Sequence, residues 1–369
     1  EIDYTEWQTL RRYPILNWNM GMTYRLRERD ERVYPQGELA RRTIGQVGDK
    51  GNYGVEYVLR DVLEGRDGKA RRQRIARGFY GRVVGGDNSE PEDGLDVVTT
   101  LDLEMQDVAD RALRRQLEAQ NALWGTALVM EVATGDLLAM ANLSRTKSGA
   151  YAEVKNHALS SRMEPGSTFK LAALLALVDD AGMSLDETFD TGNGARVKVG
   201  RTTVQDSHGL PPLNLKDAVA HSSNVFFARA VYETYKDDPE RYVDYLRHLH
   251  LDRTVGLEEF GAVAPIFPAP GMKIWYPDVS IVNMGYGYAI ELTPLHTLTL
   301  YNAVANDGCM VAPRLVREIR RGGEVVERPE RRVLVDKICS SSALRKVREC
   351  LEEVGTTGTA KQFFRATTL

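Results

Sequence analysis

The most informative stretch of this sequence reads Glu164-Pro165-Gly166-Ser167-Thr168-Phe169-Lys170 and continues into eight consecutive apolar residues, 171–178. Ser167 and Lys170 are three residues apart, so on a helix they share one face and their side chains can touch. The Pro-Gly pair before the serine predicts a sharp turn that leaves Ser167 at the N-terminus of this helix. The apolar run fits a buried helix, and it is far shorter than the ~20 residues that a membrane-spanning helix requires.

This arrangement is typical of a serine nucleophile beside a lysine base. A serine hydroxyl reacts poorly until a neighbouring base accepts its proton, and a desolvated lysine can act as that base. Residues 171–178 supply the apolar surroundings, so we expect the pKa of Lys170 to lie well below that of a free lysine. The dipole and the free N–H groups at the helix N-terminus favour a developing oxyanion. Glu164 precedes the turn, and we expect it to point outward.

The spacing of Ser167 and Lys170 is weak evidence when it is taken alone. A second copy, Ser144-Arg145-Thr146-Lys147, lies in a polar segment with nothing to desolvate its lysine, and we interpret it as a coincidence. An ordinary N-cap serine is the alternative explanation of Ser167. The apolar context that follows Lys170 distinguishes the two copies.

A second candidate site lies at His221-Ser222-Ser223-Asn224, a short polar interruption within a single helix that the pattern predicts from about Asn214 to Tyr235. A serine and an asparagine two residues apart in such a segment can both point into one cleft. The Ser222 hydroxyl can then relay a proton to a leaving amine, and the Asn224 amide can hold a substrate carbonyl. The alternative is a polar turn between two helices, without a chemical role.

The composition is that of a globular protein, and it argues against several functional classes. With 48 Lys and Arg against 52 Asp and Glu, the net charge of −4 argues against a nucleic-acid partner, which needs a concentrated basic surface. The three cysteines are too few and too scattered for a disulfide framework or a zinc site, and the six histidines include no H-E-x-x-H pattern. The sequence has no G-x-S-x-G, Walker or G-x-G-x-x-G motif, so we expect neither a metal nor an organic cofactor.

The length of 369 residues suggests two domains. Residues 1–92 are rich in Arg, Gly and charge, and a polar turn cluster at 87–94 predicts the boundary. In 93–369, strands come first, then many helices and then strands again, which indicates an α+β fold rather than an alternating βαβ fold. The elements behind this interpretation share clear apolar periodicity: a strand at 96–101, a helix at 103–120, a hairpin at 127–141, a helix at 167–180, a hairpin at 315–327 and a last helix near 344–354.

The pair S-x-x-K and S-x-N resembles the signature of penicillin-recognising serine acyltransferases. The resemblance covers roughly residues 30–369 and looks closest to the division-type enzymes among the class B penicillin-binding proteins. Further stretches are similar to particular parts of that branch: Arg32–Ala40 and Gly51–Glu56 to its N-terminal pedestal, Asp96–Asp102 to the start of its transpeptidase domain, and 284–295 with 305–308 to its late helical segment.

The resemblance implies a penicillin-binding/serine β-lactamase-like transpeptidase domain at 93–369, with an antiparallel sheet flanked by helices. An elongated, dimerisation-like pedestal module at 1–92 would precede it. The implied activity is that of a periplasmic D,D-transpeptidase, which cross-links peptidoglycan stem peptides and is acylated by β-lactams. In that activity Ser167 would be the nucleophile and Lys170 the general base, while Ser222 and Asn224 would position substrate and pass protons.

The resemblance also implies a location at the periplasmic face of the bacterial inner membrane, with the anchor helix absent from this chain. The expected partners are stem peptides, β-lactam antibiotics, a membrane-embedded glycosyltransferase and divisome proteins, with no nucleic acid and no cofactor. Two other interpretations stay open: hydrolysis, as a D,D-carboxypeptidase or β-lactamase, and a β-lactam-acylated sensor or scaffold without turnover. Residues 1–90 argue against a simple hydrolase, which needs no such module.

One motif of the family is not present in intact form. The Lys-Thr-Gly that the family carries on a strand has a partial likeness at Gly355–Ala360, where Thr356 of Thr356-Thr357-Gly358 stands in place of the lysine. That stretch directly follows a helix predicted to end near Val354, with no strand leading in. In the family that this chain resembles, a Gly-Thr-Ala-like turn commonly closes that helix and the Lys-Thr-Gly strand begins further on, and we favour this interpretation here. This interpretation implies that the third motif follows Leu369 and that the transpeptidase domain is incomplete at its C-terminus.

Overall fold

The computed structural model of the chain describes residues 6, 9–10, 12–13, 33–49, 51–69, 72–76, 79–82 and 89–364. The chain forms two compact units, residues 1–38 and 39–369. All helices and strands that the structure describes in full lie in the second unit. Arg32 of the pedestal-like stretch and residues 87–88 of the predicted boundary lie outside the described residues.

The described helices are mostly short, and in chain order they are α1 (Arg41–Ile44), α2 (Gly54–Val58), α3 (Arg60–Leu63), α4 (Leu103–Ala119), α5 (His157–Ser160), α6 (Lys170–Leu175), α7 (Leu215–Ala220), α8 (Asn224–Tyr235), α9 (Pro239–His248), α10 (Ser280–Gly285), α11 (Pro294–Ala305), α12 (Ser341–Thr356) and α13 (Lys361–Phe364). A 3₁₀ turn at Gly166–Phe169 leads into α6, and a π-helical segment at Ala176–Asp180 continues it.

The described strands are also short, and in chain order they are β1 (Arg72–Ala76), β2 (Phe79–Arg82), β3 (Asp96–Thr99), β4 (Trp124–Met130), β5 (Leu137–Arg145), β6 (Tyr151–Ala152), β7 (Thr188–Phe189), β8 (Val197–Val199), β9 (Thr202–Val204), β10 (Leu213–Asn214), β11 (Met310–Val311), β12 (Val316–Arg321), β13 (Glu324–Glu327) and β14 (Val333–Val335).

Two antiparallel three-stranded sheets contain the longest strands, in the orders β4-β5-β6 and β13-β12-β3. In the first sheet the register runs from Trp124 opposite Ser144 to Met130 opposite Leu137. In the second sheet β12 pairs with β3, far away in sequence, and with β13 across a tight turn. The predicted hairpins at 127–141 and 315–327 are therefore confirmed, although β4 begins before residue 127 and β5 extends beyond residue 141.

Helix α4 packs on the first sheet and confirms the helix predicted at 103–120. Its N-cap is Asp102, whose side chain accepts a hydrogen bond from the Met105 N–H at 2.9 Å. The small side chain of Ala109 allows α4 to approach Ala139 and Ala141 of β5 closely. A helix packed on an antiparallel sheet has the α+β character that the sequence pattern indicates.

The main core surrounds the segment that follows Lys170. Residues 171–178 are each at most 5% exposed, as the apolar run predicts. They pack with buried residues of α8, among which Phe226 and Tyr235 are completely buried. The Tyr235 ring lies 5.0 Å from that of Tyr242 on α9. The helix that carries the candidate lysine is therefore enclosed by apolar side chains.

The helical pattern from Asn214 to Tyr235 forms two helices, so the expectation of a continuous helix is wrong. Helix α7 ends at Ala220, and α8 begins at Asn224. Ser222 has φ +54°, a left-handed conformation that is incompatible with the interior of a right-handed helix. Ser223 then serves as the N-cap of α8, accepting a hydrogen bond from the Phe226 N–H at 3.0 Å.

The boundary expected near residue 92 stays a prediction. The Arg42 N–H donates to Glu153 at 2.8 Å, and the Leu95 N–H donates to the Val62 carbonyl at 2.9 Å, so residues on both sides of the predicted boundary make contact.

In the part of the chain that the structure describes, no helix combines the length and apolar character needed to cross a bilayer.

Phe226 offers a direct test of the core. It is completely buried and packs edge-on against Phe189, with ring centroids 5.2 Å apart. Phe226→Ala should lower the free energy of unfolding by about 3–5 kcal/mol, because it leaves a cavity in a closely packed interior. Urea denaturation measures this change. Val326→Ala on the exposed strand β13 is the control and should change stability by less than about 0.5 kcal/mol; equal losses for both variants would contradict this description of the core.

Candidate active site

The predicted nucleophile lies on the 3₁₀ turn Gly166–Phe169, which runs directly into α6. Gly166 has φ +55°, a conformation that glycine adopts without steric cost. Ser167 is exposed, whereas Lys170, one turn later, is only 5% exposed. The turn therefore presents an accessible hydroxyl beside a buried amine.

Two segments of the chain, the turn at Ser167 and the turn at Ser222–Asn224, meet at the Nζ atom of Lys170. It lies 3.1 Å from Ser167 Oγ, 3.0 Å from Ser222 Oγ and 2.7 Å from Asn224 Oδ1, and it donates to the Ser222 carbonyl at 2.6 Å. The four candidate residues thus come together, while their chemical roles stay predictions. An ammonium has three N–H donors, so it cannot donate to all four oxygens at once. In the neutral amine, the lone pair can instead accept a proton from a hydroxyl.

Burial lowers the pKa of Lys170 to about 7, because apolar surroundings disfavour the charged ammonium. The face of the Phe227 ring contributes to these surroundings, with its centroid 5.8 Å from Nζ. The negative charge of Asp206 acts in the opposite direction and raises the pKa of Lys170. The expectation of a lowered lysine pKa is confirmed.

Glu164 is exposed, as expected, and it accepts a hydrogen bond from the Ala289 N–H at 3.0 Å.

Asp206 is a buried part of this site that the sequence analysis missed. Its side chain accepts hydrogen bonds from Ser223 Oγ at 2.8 Å and from the Asn224 N–H at 2.5 Å. It follows β9 in a polar segment, 205–208, whose composition is that of an ordinary surface turn. No local signal singles it out, because only the folded chain brings it under the turn that carries Ser222.

The second S-x-x-K sequence forms no such arrangement. Ser144 lies near the end of β5, and its Oγ is 2.8 Å from His157 Nε2. Lys147 lies in the following turn and is exposed. Since burial is what lowers a lysine pKa, this copy has no desolvated base.

A second backbone segment holds the nucleophile turn in place. The Gly166 N–H donates to the Gly287 carbonyl at 2.9 Å, and Met163 and Leu292 exchange hydrogen bonds at 3.0 and 2.9 Å. The approach at Gly287 is so close that a Cβ atom there would lie 1.9 Å from the Gly166 carbonyl oxygen. Glycine is therefore required at residue 287 by the position of the Ser167 turn.

The stretch that partly resembles the third motif forms the end of a helix and a turn. Helix α12 ends at Thr356, and Thr357 is its C-cap. The Thr359 N–H donates to the Ala220 carbonyl at 3.0 Å, and a Cβ on Gly358 would lie 2.2 Å from the same oxygen. This agrees with the turn that we favoured and contradicts a strand at this position. A Lys-Thr-Gly beyond Leu369 stays a prediction.

Residues 125–367 match the family model described as the penicillin binding protein transpeptidase domain. This span contains Ser167, Lys170, Ser222 and Asn224. The chain belongs to this family. The fold and the resemblance to class B penicillin-binding proteins of the division type, which were predicted from the motifs, are thereby confirmed.

Individual penicillin-binding proteins resemble the chain over most of its length. Penicillin-binding protein PbpB of Mycobacterium tuberculosis is 29% identical over 343 residues, which cover 88% of this chain and 48% of the relative. Probable peptidoglycan D,D-transpeptidase FtsI of Caulobacter vibrioides is 26% identical over 336 residues, which cover 89% of this chain and 50% of the relative. The crystal structure of penicillin binding protein 3 from Mycobacterium tuberculosis, complexed with aztreonam, superposes with a TM-score of 0.73 at 27% identity, covering 88% of this chain and 69% of that one. The chain spans about half the length of the curated relatives it matches.

The close contact between Gly287 and Gly166 predicts that a side chain at residue 287 lowers activity. A glycine that has a positive φ but no such contact should lose only stability when it is replaced. Gly287→Ala should lower the rate of acylation by penicillin about tenfold or more, because the new methyl group displaces the turn that holds Ser167. Gly271→Ala is the matched control, since Gly271 also has a positive φ, +83°, but has open space around its Cβ position. The control should lose about 1–2 kcal/mol of stability from strain and keep its acylation rate. Equal acylation rates for the two variants would contradict the proposed role of this contact.

Proposed function

We propose that this protein is a peptidoglycan D,D-transpeptidase that forms an acyl-enzyme on Ser167. The observation that supports this best is the buried Lys170 amine, which has a pKa of about 7 and lies 3.1 Å from Ser167 Oγ. A base with a pKa close to the working pH is well matched to accept a proton and return it. The relatives named as a penicillin-binding protein and as a probable peptidoglycan D,D-transpeptidase support the class of substrate.

Acylation begins with a terminal D-Ala-D-Ala stem peptide bound beside Ser167. Neutral Lys170 takes the hydroxyl proton while Ser167 Oγ attacks the carbonyl carbon of the penultimate D-alanine, and an oxyanion forms on the carbonyl oxygen. Collapse of this intermediate breaks the peptide bond and leaves the donor peptide as an ester on Ser167. The departing D-alanine nitrogen receives a proton from Lys170 through Ser222 Oγ, which is 3.0 Å from Nζ.

The second half of the reaction uses the same groups in reverse order. The amine of a second stem peptide attacks the ester carbonyl and loses a proton through Ser222 and Lys170. Ser167 leaves with a proton from Lys170, and the new peptide bond joins the two stem peptides. Asn224 directs its Oδ1 at Lys170, 2.7 Å away, so its amide NH₂ group is the end that can hold a substrate carbonyl.

The same attack accounts for inhibition by β-lactams. Opening of the strained amide ring acylates Ser167, but the expelled nitrogen stays attached to the acyl group, so no leaving group departs. The related penicillin binding protein 3 was crystallised in complexes with aztreonam and with ampicillin, which supports this class of ligand.

The proposed substrate also suggests where the protein works and with what. Peptidoglycan is assembled outside the cytoplasmic membrane, so we place the domain on the periplasmic side of the inner membrane. A membrane-embedded glycosyltransferase, which would supply uncrosslinked strands, and divisome proteins are the proposed partners. The confirmed similarity to division-type penicillin-binding proteins is the support for this assignment.

Covalent labelling tests the nucleophile. Incubation with a fluorescent penicillin should label the parent protein, and Ser167→Ala should abolish the label because it removes the attacking oxygen. Ser144→Ala in the second S-x-x-K sequence is the control and should label as the parent does. Equal labelling of Ser167→Ala and the parent would refute the assignment of Ser167.

The products separate the proposal from its rivals. A transpeptidase supplied with paired stem peptides yields a cross-linked dimer. A carboxypeptidase yields only the shortened peptide and free D-alanine, and a β-lactamase releases hydrolysed antibiotic rapidly. An acylated protein that produces none of these would be a sensor or scaffold.

The pKa of Lys170 predicts how the reaction depends on pH. The neutral amine is the active form, so the rate of acylation should rise as the pH increases through about 7 and fall as Lys170 becomes protonated at lower pH. Lys170→Arg should nearly abolish acylation at every pH with the fold retained, because a guanidinium stays protonated. Stopped-flow acylation and circular dichroism measure the two effects, with Lys147→Arg as the control. A rate close to that of the parent for Lys170→Arg would show that Lys170 is not the base.

A further inference from the structure

A buried carboxylate that the proposed reaction does not use lies beneath the turn that carries Ser222 and Asn224. Asp206 is 6% exposed, and it follows the hairpin formed by β8 and β9. Its Oδ2 accepts from Ser223 Oγ at 2.8 Å, and its Oδ1 accepts from the N–H groups of Asn224 and Val225 at 2.5 and 3.1 Å. Every one of these contacts is to the segment that forms the S-x-N motif and the start of α8.

The surroundings of Asp206 provide hydrogen bonds that compensate for the burial of its carboxylate. A buried carboxylate is costly unless it is paired or fully hydrogen-bonded. Within the described part of the chain, no lysine, arginine or histidine lies within ion-pair distance of Asp206; its three donors and the positive end of the α8 dipole stabilise the charge instead. Helix α8 has 12 residues, which is long enough to carry such a dipole.

The turn needs this support because its conformation is strained. Ser222 has φ +54°, a left-handed conformation that costs a side-chain-bearing residue roughly 1–2 kcal/mol. In this conformation Ser222 directs both its carbonyl oxygen and its Oγ at Lys170 Nζ, at 2.6 and 3.0 Å. Asp206 binds the next three residues and so fixes the turn from its far side.

Asp206 also acts on Lys170 through its charge. Three further titratable residues adjoin the segments that form the site: Glu164 lies three residues before Ser167 in the sequence, His221 lies directly before Ser222, and the Tyr301 hydroxyl donates to the Thr168 carbonyl at 3.2 Å. Among the described residues, the shift in the Lys170 pKa arises from burial, which lowers it, and from Asp206, which raises it. A carboxylate at this place therefore limits how far burial weakens the base.

We propose that Asp206 is a positioning residue for acyl transfer, which holds the Ser222–Asn224 turn against the Lys170 amine. Its negative charge supports the same role, because it counteracts the effect of burial on that amine. Asp206 acts through Ser222, Asn224 and Lys170 and does not touch the reacting atoms. The inference rests on the proposed acyl-transfer function and adds a residue to it.

Two substitutions separate the charge of Asp206 from its hydrogen bonds. Asp206→Asn keeps an oxygen that can accept from the Asn224 and Val225 N–H groups but removes the charge. The pH midpoint of penicillin acylation should then move downward by about half a unit, because a negative charge that favours the ammonium is lost. Asp206→Ala removes all three hydrogen bonds as well, and acylation at pH 8 should fall about 10- to 100-fold as the turn shifts away from Lys170.

Asp238→Asn provides the matched control. Asp238 caps helix α9 by accepting from the Arg241 N–H at 3.3 Å, so the same substitution removes a carboxylate from a helix N-terminus outside the site. Its acylation rate and pH midpoint should equal those of the parent. Nuclear magnetic resonance titration of Lys170, labelled with ¹³C and ¹⁵N, measures the pKa without using the reaction and should show a lower value in Asp206→Asn.

The outcomes distinguish the two proposals. A parent protein that no penicillin labels would refute the proposed function, and the titration of Lys170 would still test the influence of Asp206. A labelled parent together with an unchanged midpoint and an unchanged Lys170 titration in Asp206→Asn would overturn the electrostatic part of the inference. A folded Asp206→Ala variant that is acylated at the parent rate would overturn the positioning role.

Discussion

The burial of the Lys170 amine is the constraint on which the rest of the site depends. An ammonium group in apolar surroundings costs several kcal/mol unless acceptors compensate for lost water. The chain provides these acceptors from two turns, at Ser167 and at Ser222–Asn224, which precede different helices, α6 and α8. The burial that makes the amine a useful base therefore also requires both turns to keep their positions, because a small displacement would leave Nζ without partners.

The turns keep their positions largely through contacts between backbones. Gly166 lies against Gly287, and Ala220 lies against the turn at Gly358 and Thr359. A side chain can change rotamer to absorb a displacement, whereas two peptide groups in contact have no such freedom. Glycine is needed at Gly287 and Gly358 for this reason. The close approach places the chemistry on a rigid frame even though Ser167 itself is exposed.

The sequence predicted the parts of this site that depend on local spacing. Ser167 and Lys170 lie on one helical turn, and the apolar run after them already indicated that the amine would be buried. The sequence did not reveal Asp206, because its contacts to Ser223 and Asn224 form only when the β8–β9 hairpin folds onto α8. The continuous helix expected from Asn214 to Tyr235 failed for a related reason, since the left-handed conformation of Ser222 is imposed by tertiary contacts that override helical periodicity.

Helix α12 contacts both segments that form the site, the one that continues the Lys170 helix and the one that precedes the Ser222 turn. At its start, the Ser340 N–H donates to Asp179 Oδ1 at 3.0 Å, on the π-helical segment that continues the Lys170 helix. At its end, the Thr359 N–H is bonded to Ala220, immediately before the Ser222 turn. The length of α12 therefore sets the distance between these two contacts. Inserting or deleting one residue would shift one end by about 1.5 Å and rotate it by about 100°, so the number of residues in α12 is under stricter constraint than the identity of those on its exposed face.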